Sequence, residues 1–146
     1  MTTAALPPPR RRELAPWVAL GGAVGTTARL TVDALVGGVA PGWDVTTAIV
    51  NLTGAFLLGV VALWPFAARH AHRLRAFAGT GVLGAYTTFS ALFVAVGTAP
   101  LAIALAELAV SIGGGVAAAA GGVALARRAI GPTSPPRDPD HDEEQL

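Results

Sequence analysis

The 146-residue chain contains no cysteine, and only 13% of its residues are charged. The missing cysteines exclude a disulfide framework, a cysteine-based zinc site and thiol chemistry. Soluble domains carry roughly 25% charged residues, so this chain has too few charges to cover a surface in water. All ten basic residues are arginines and the formal net charge is only +1. A balance so close to neutral gives no indication of a nucleic-acid partner, and we expect none.

Hydrophobic residues make up 53% of the chain and are concentrated in four stretches, 16–36, 45–66, 77–98 and 101–126. Each stretch has about the 20 residues that a helix needs to cross a ~30 Å hydrocarbon core. We therefore predict an all-α membrane protein with four transmembrane helices, formed by residues 16–126. A cleaved signal peptide is not expected, because the first stretch is long and three similar ones follow it.

Charged residues are concentrated outside these stretches. Residues 1–15, which are proline-rich and basic, and residues 127–146, which are proline-rich and then acidic, are predicted to be disordered tails. Nine of the ten arginines lie in these tails or between the second and third stretches, on one side of a four-helix topology. The positive-inside rule therefore predicts a multi-pass protein of the cell (inner or plasma) membrane with both termini in the cytoplasm.

Polar residues occur inside the apolar stretches, where they are costly and by default indicate function or a buried partner. Arg29, in the segment "GGAVGTTARL", is either a snorkelling side chain beside a glycine packing motif or part of a positive vestibule that attracts an anion. Asn51, in the segment "TTAIVNLTGAFLLG", either joins two helices by hydrogen bonds or lines a polar path together with Thr47.

The third stretch contains the segment "GVLGAYTTFSALF", residues 81–93. Glycines, including Gly84, weaken the helix before Thr87, Thr88 and Ser90, whose hydroxyls can bond freed backbone groups. We predict that the third helix is broken here in mid-membrane, and freed carbonyls would be good ligands for a hard cation. The alternative is a helix that the hydroxyls bend without any ligand.

The fourth stretch carries Glu107 and Ser111 one helical turn apart. An intramembrane carboxylate can carry protons, or it can lie toward the membrane interface. The sequence contains no nucleophile elbow, no phosphate-binding glycine loop and no His/Asp/Glu cluster with ligand spacing. We therefore do not expect an enzyme.

The three quoted segments, in this order on the first three helices, resemble the fluoride channel family, Fluc or CrcB, over residues 16–126. The resemblance implies an antiparallel dimer with two pores along its interface, through which cytoplasmic fluoride leaves the cell passively and becomes less toxic. It also implies a structural sodium ion at the dimer centre, not transported, held by backbone carbonyls of Gly84 and Thr87. The pore residues that it implies are Thr47, Asn51, Phe89, Ser90 and Ser111, with Arg29 in the vestibule.

The chain departs from the family pattern at several positions. Leu92 replaces a second phenylalanine, Glu107 a tyrosine and Thr46 a glycine, and Ala95 stands where an acidic residue is usual. An antiparallel homodimer requires a chain that inserts in both orientations, whereas the arginine distribution favours one. We therefore predict a heterodimer with a paralogous subunit that inserts oppositely. The alternatives are a proton-coupled exporter of the small multidrug resistance type, with Glu107 as its carboxylate, and a degenerate partner subunit.

Overall fold

The structure is a computed structural model of the chain, and it describes residues 11–36, 44–65 and 70–130. The regular elements in these ranges are all helices, which confirms the all-α prediction for this part of the chain. We number them α1 (Arg11–Val36), α2 (Val45–Leu63), α3 (71–86), α4 (Ser90–Thr98) and α5 (Leu101–Ile130).

Helices α3 and α5 each contain a π-helical segment, Ala76–Leu83 in α3 and Val110–Gly114 in α5. At the end of the first segment the Gly84 N–H donates to the carbonyl of Gly79, five residues earlier. Such segments insert a residue relative to a regular α-helix and are frequent at functional sites. One π-helical segment ends at Leu83 and is separated by three residues from the sequence "TTF", and the other contains Ser111.

Helices α1 and α3 pack with their backbones in close contact at glycine positions. A Cβ placed on Gly21 would lie 2.9 Å from the Cα of Gly81, and one on Gly25 would lie 2.9 Å from the carbonyl carbon of Val82. Those distances are too short for a side chain, so the approach of the two helices depends on glycine. The glycine packing motif predicted in "GGAVGTTARL" is confirmed at this contact.

Helices α2 and α5 form the second close pair and run parallel to each other. A Cβ on Gly59 would lie 3.0 Å from the Val123 nitrogen, and one on Gly122 would lie 3.0 Å from the Phe56 carbonyl carbon. Closer to the start of both helices, Leu52 contacts Gly114. The parallel direction agrees with two spans that cross a membrane the same way, as alternate helices of a four-helix topology do.

Three segments among the described residues are long and apolar enough to cross a membrane, namely Val45–Leu63, Ala71–Thr98 and Leu101–Ile130. The protein is therefore a membrane protein with several apolar helices. Helix α1 has 26 residues but is not one of these three, and it carries Arg29 and Asp33 within its apolar stretch. A fourth span at α1 stays a prediction.

Helical structure extends into both predicted tails, because α1 begins at Arg11 and α5 ends at Ile130. The apolar stretches of the sequence thus underestimate the helices, whose terminal turns carry arginines at both ends. Residues 1–10 and 131–146, which hold the rest of the predicted tails, lie outside the described residues, as do 37–43 and 66–69.

Candidate functional site

The third predicted span is interrupted where the sequence predicts it. Helix α3 ends at Tyr86 and α4 begins at Ser90, which leaves residues 87–89 between them. Thr87 has an extended backbone, with φ −74° and ψ 156°, and its hydroxyl donates to the Leu83 carbonyl at 3.0 Å. The prediction of a broken helix is confirmed, and a merely bent helix is excluded.

The side chain of Asn51, on α2, bonds to the backbone of Thr88 within this break. Its Nδ2 donates to the Thr88 carbonyl at 2.9 Å, and its Oδ1 accepts from the Thr88 N–H at 2.9 Å. The Asn51 side chain thus makes the hydrogen bonds that backbone groups of neighbouring turns would make to Thr88 in a helix, although the two residues are 37 positions apart. Asn51 therefore joins α2 to the break by hydrogen bonds, and its place on a polar path stays a prediction.

The hydrogen bonds made by Thr88 leave two nearby backbone carbonyls without their helical donors. In a continuous helix the Thr88 N–H would donate to the Gly84 carbonyl, and the Ala91 N–H would donate to the Thr87 carbonyl. Here the Thr88 N–H donates to Asn51, and the Ala91 N–H points to the Thr88 hydroxyl at 3.4 Å. The carbonyls of Gly84 and Thr87 therefore lose their usual helical donors.

A cavity of about 320 Å³ lies against the break, and we call it the break cavity. It brings together five of the predicted site residues: Asn51, Gly84, Thr87, Phe89 and Ser111. Leu92, which replaces the expected second phenylalanine, also lines it and is itself buried. The Phe89 ring is 59% exposed and stands edge-to-face with Phe93 at a centroid distance of 5.4 Å. An exposed ring edge is the electropositive part of an aromatic side chain.

A second cavity of about 190 Å³, which we call the arginine cavity, is lined by two further predicted site residues. Arg29 and Thr47 line it together with Asp33, Asp44 and Thr88. Thr47 does not share the break cavity with Asn51. It lies in the first turn of α2, where Asp44 is the N-cap: the Thr47 N–H donates to Asp44 Oδ1 at 3.0 Å and its hydroxyl donates to Oδ2. Thr88 lines both cavities and lies at their boundary.

Ser90 lies at the start of α4 outside both cavity linings, and its hydroxyl is 3.2 Å from that of Thr88. The sequence analysis did not place Thr88 or Leu92 among the site residues. Thr88 could have been found from its position at the centre of the predicted break. Nothing in the sequence shows that its backbone pairs with Asn51.

Glu107 and Ser111 both point into the protein from α5. Glu107 is only 1% exposed and Ser111 8% exposed. Neither carboxylate oxygen of Glu107, nor the hydroxyl of Ser111, has a hydrogen-bond partner within the described ranges. The Glu107 side chain is thus enclosed by protein, and whether it lies toward the membrane interface stays a prediction.

Similarity to known proteins extends over most of the described helices. A family model described as "CrcB-like protein, Camphor Resistance (CrcB)" matches residues 16–123. The chain is similar to the fluoride-specific ion channel FluC of Paracoccus denitrificans (strain Pd 1222), with 45% identity over 74 residues. It is also similar to FluC 2 of Moorella thermoacetica (strain ATCC 39073 / JCM 9320), with 44% identity over 75 residues, and to FluC 1 of Leifsonia xyli subsp. xyli (strain CTCB07), with 39% over 74.

These similarities cover 51%, 51% and 50% of this chain, and 59%, 61% and 54% of the respective relatives. The chain thus spans less than two thirds of the length of the curated relatives it matches. The family model, in contrast, covers well over half of the chain, including the described parts of α2 to α4 and the break. The chain therefore belongs to the CrcB-like protein family.

Proposed function

We propose that the chain is a subunit of a fluoride-selective channel through which cytoplasmic fluoride leaves the cell down its electrochemical gradient. The observation that carries this proposal is the break cavity, where Asn51, Phe89 and Ser111 face one space beside an interrupted helix. The names of the relatives, fluoride-specific ion channels, support the choice of ion.

The donors in the break cavity suit a small, strongly hydrated anion. Asn51 uses one hydrogen of its amide nitrogen for the Thr88 carbonyl, which leaves the other hydrogen for a ligand. The Ser111 hydroxyl has no partner among the described residues and is free to donate. The Phe89 edge adds positive quadrupole charge without a fixed cation. Neutral donors bind the anion and still release it, as conduction requires.

A structural sodium ion fits the chemistry of the break. Gly84 and Thr87 offer backbone carbonyls that have lost their helical donors, and carbonyl oxygens are ligands that hard cations accept. We propose that these two residues hold sodium, not transported, at the centre of a dimer. When bound, the ion supplies a fixed positive charge that favours an anion nearby.

The exposed apolar side chains beside the break support an antiparallel dimer. In the single chain, three of these side chains are largely exposed: Phe89 (59%), Phe93 (68%) and Val94 (62%). A second subunit would cover this face and close the break cavity into a pore. The arginine distribution favours a paralogous partner that inserts oppositely, and relatives numbered FluC 1 and FluC 2 support such pairs. In this topology α1 is a fourth span and both termini are cytoplasmic, with Arg29 in the vestibule.

Complementation of a bacterial strain that lacks its own fluoride channel tests the function. The chain is expressed alone, or with a paralogous chain encoded by the same genome, and growth is measured against added fluoride. We expect rescue by the pair, and rescue lost with Asn51→Leu. Absence of rescue by both arrangements, with both chains detected in the membrane, would overturn the proposal.

Reconstitution in liposomes tests the subunit composition. Fluoride efflux is recorded with a fluoride-selective electrode for the chain alone and for the pair, with chloride efflux as the selectivity control. We expect efflux from the pair only. Strong efflux from the chain alone would leave the channel intact but refute the heterodimer.

A further inference from the structure

Glu107 is the ionisable side chain that is fully buried among the residues that the structure describes. Both of its carboxylate oxygens lack a hydrogen-bond partner there. An ionised carboxylate without a donor or a counter-ion is very costly to bury, whereas a neutral carboxylic acid is much less so. The geometry therefore favours a Glu107 that keeps its proton, with an O–H group that has no acceptor among the described residues.

Glu107 lines neither cavity, but it lies near a residue of each. One turn later on the same helix, Ser111 lines the break cavity with a hydroxyl that is also buried and unpartnered within the described ranges. Asp44 lines the arginine cavity, and both its carboxylate and its backbone N–H are close enough to Glu107 to act on it electrostatically. Ser111 thus connects the buried Glu107 to the break cavity, which shares Thr88 with the arginine cavity.

We propose that Glu107 is a protonated carboxylic acid that donates a hydrogen bond to fluoride beside Ser111, so that fluoride conduction depends on pH. The inference rests on the proposed function and adds to it a further binding residue. Fluoride accepts a hydrogen bond from an acidic O–H more strongly than chloride does, so the pair favours fluoride. The proton stays on Glu107, because hydrogen fluoride is a stronger acid than a carboxylic acid, and no bond is broken.

The sign of the pH dependence follows from the charges around Glu107. Asp44 at the start of α2 adds negative charge, while Arg29 and Asp33 face the arginine cavity from α1 with opposite signs. Helix α4 carries no ionisable residue. When pH rises until Glu107 ionises, a donor is replaced by a fixed negative charge, which repels fluoride. Conduction is therefore highest at low pH and falls as pH rises.

Fluoride efflux from liposomes at several pH values tests this, with the partner chain included if conduction requires it. We expect the wild-type rate to fall at least about tenfold between about pH 6 and about pH 9, a change of ~1.4 kcal/mol. Glu107→Gln keeps an N–H donor and should conduct at both pH values. Glu107→Met should lose about tenfold at low pH. Leu105→Ala, on an exposed face of the same helix, is the matched control and should keep the wild-type profile.

The outcomes separate the two proposals. A wild-type chain that conducts fluoride equally at all pH values, or a Glu107→Gln variant with the wild-type profile, overturns the role of Glu107 and leaves the channel intact. Absence of fluoride efflux at every pH contradicts the proposed function instead.

Infrared difference spectroscopy tests the Glu107 site without conduction. The spectrum of the full chain in lipid at neutral pH, minus that of Glu107→Gln, should contain the C=O band of a protonated carboxyl. Sodium fluoride should shift this band, and sodium chloride should not. A missing band means that Glu107 is ionised and balanced by a cation, and an unshifted band means that it does not contact the anion. Either result overturns the inference, even if the chain alone does not conduct.

Discussion

The contribution of Asn51 to the stability of the helix break can be measured with Asn51→Leu. This substitution removes both hydrogen bonds between Asn51 and Thr88 and keeps the side-chain volume nearly constant. The Thr88 N–H and carbonyl, each 2.9 Å from an Asn51 atom, then lose their partners at a half-buried position beside the break cavity. An unpaired backbone group costs about 1–3 kcal/mol when fully buried, and these two groups are half-buried, so we expect a loss of ~1–3 kcal/mol in the free energy of unfolding. Because the break sets the positions of Gly84, Thr87 and Phe89, the same change should abolish fluoride efflux.

The free energy of unfolding can be followed by tryptophan fluorescence during denaturation in mixed micelles, since the chain has 3 tryptophans. Thr31→Val is the matched control. It also removes one side-chain donor from a carbonyl, but the acceptor, the Thr27 carbonyl, lies within a continuous helix. We expect the control to change stability by less than ~0.5 kcal/mol. A loss below about 1 kcal/mol for Asn51→Leu, with efflux unchanged, would refute the reasoning.

Further predictions concern helix packing, the pore and the topology. Gly25→Ala should destabilise the protein by ~1–3 kcal/mol in the same assay, because its Cβ would meet backbone atoms of α3 at 2.9 and 3.1 Å. Gly22→Ala meets nothing within 4 Å and should be neutral or stabilising by up to ~1 kcal/mol. Phe89→Leu should lower fluoride efflux at least about tenfold but change subunit stability by no more than ~1.5 kcal/mol, since the ring is exposed; unchanged efflux would remove Phe89 from the pore. The chain has no native cysteine, so Gly97→Cys should react with an impermeant maleimide added outside intact cells, and His72→Cys only after permeabilisation. The reverse labelling pattern would contradict the predicted orientation.

Local sequence signals predicted the helices and the break well. Apolar length and composition gave the all-α class, and the spans at α2 and α5, because both follow from short-range pattern. The cluster of glycine, threonine and serine predicted the interruption at residues 87–89, because those residues weaken a helix and bond its freed groups. The helix ends were less accurate, since Arg11 and Ile130 extend beyond the apolar stretches.

Long-range geometry was not accessible from the sequence. The pairing of Asn51 with Thr88 depends on how α2 and α3 meet, and no local signal specifies it. The capping of α2 removed Thr47 from the space that Asn51 lines, although the two side chains share a helical face by spacing. The burial of Glu107 depends on protein surrounding α5, which its distance from Leu101 does not reveal.

The glycine contacts divide the described helices into two tightly packed units, α1 with α3 and α2 with α5. The amide of Asn51 belongs to one unit and the backbone of Thr88 to the other. A sideways movement of one unit against the other therefore pulls directly on the residues between α3 and α4. The Asn51 amide, together with the Thr53 and Tyr86 hydroxyls 3.1 Å apart, therefore transmits strain from the helix pairs to the residues that line the break cavity.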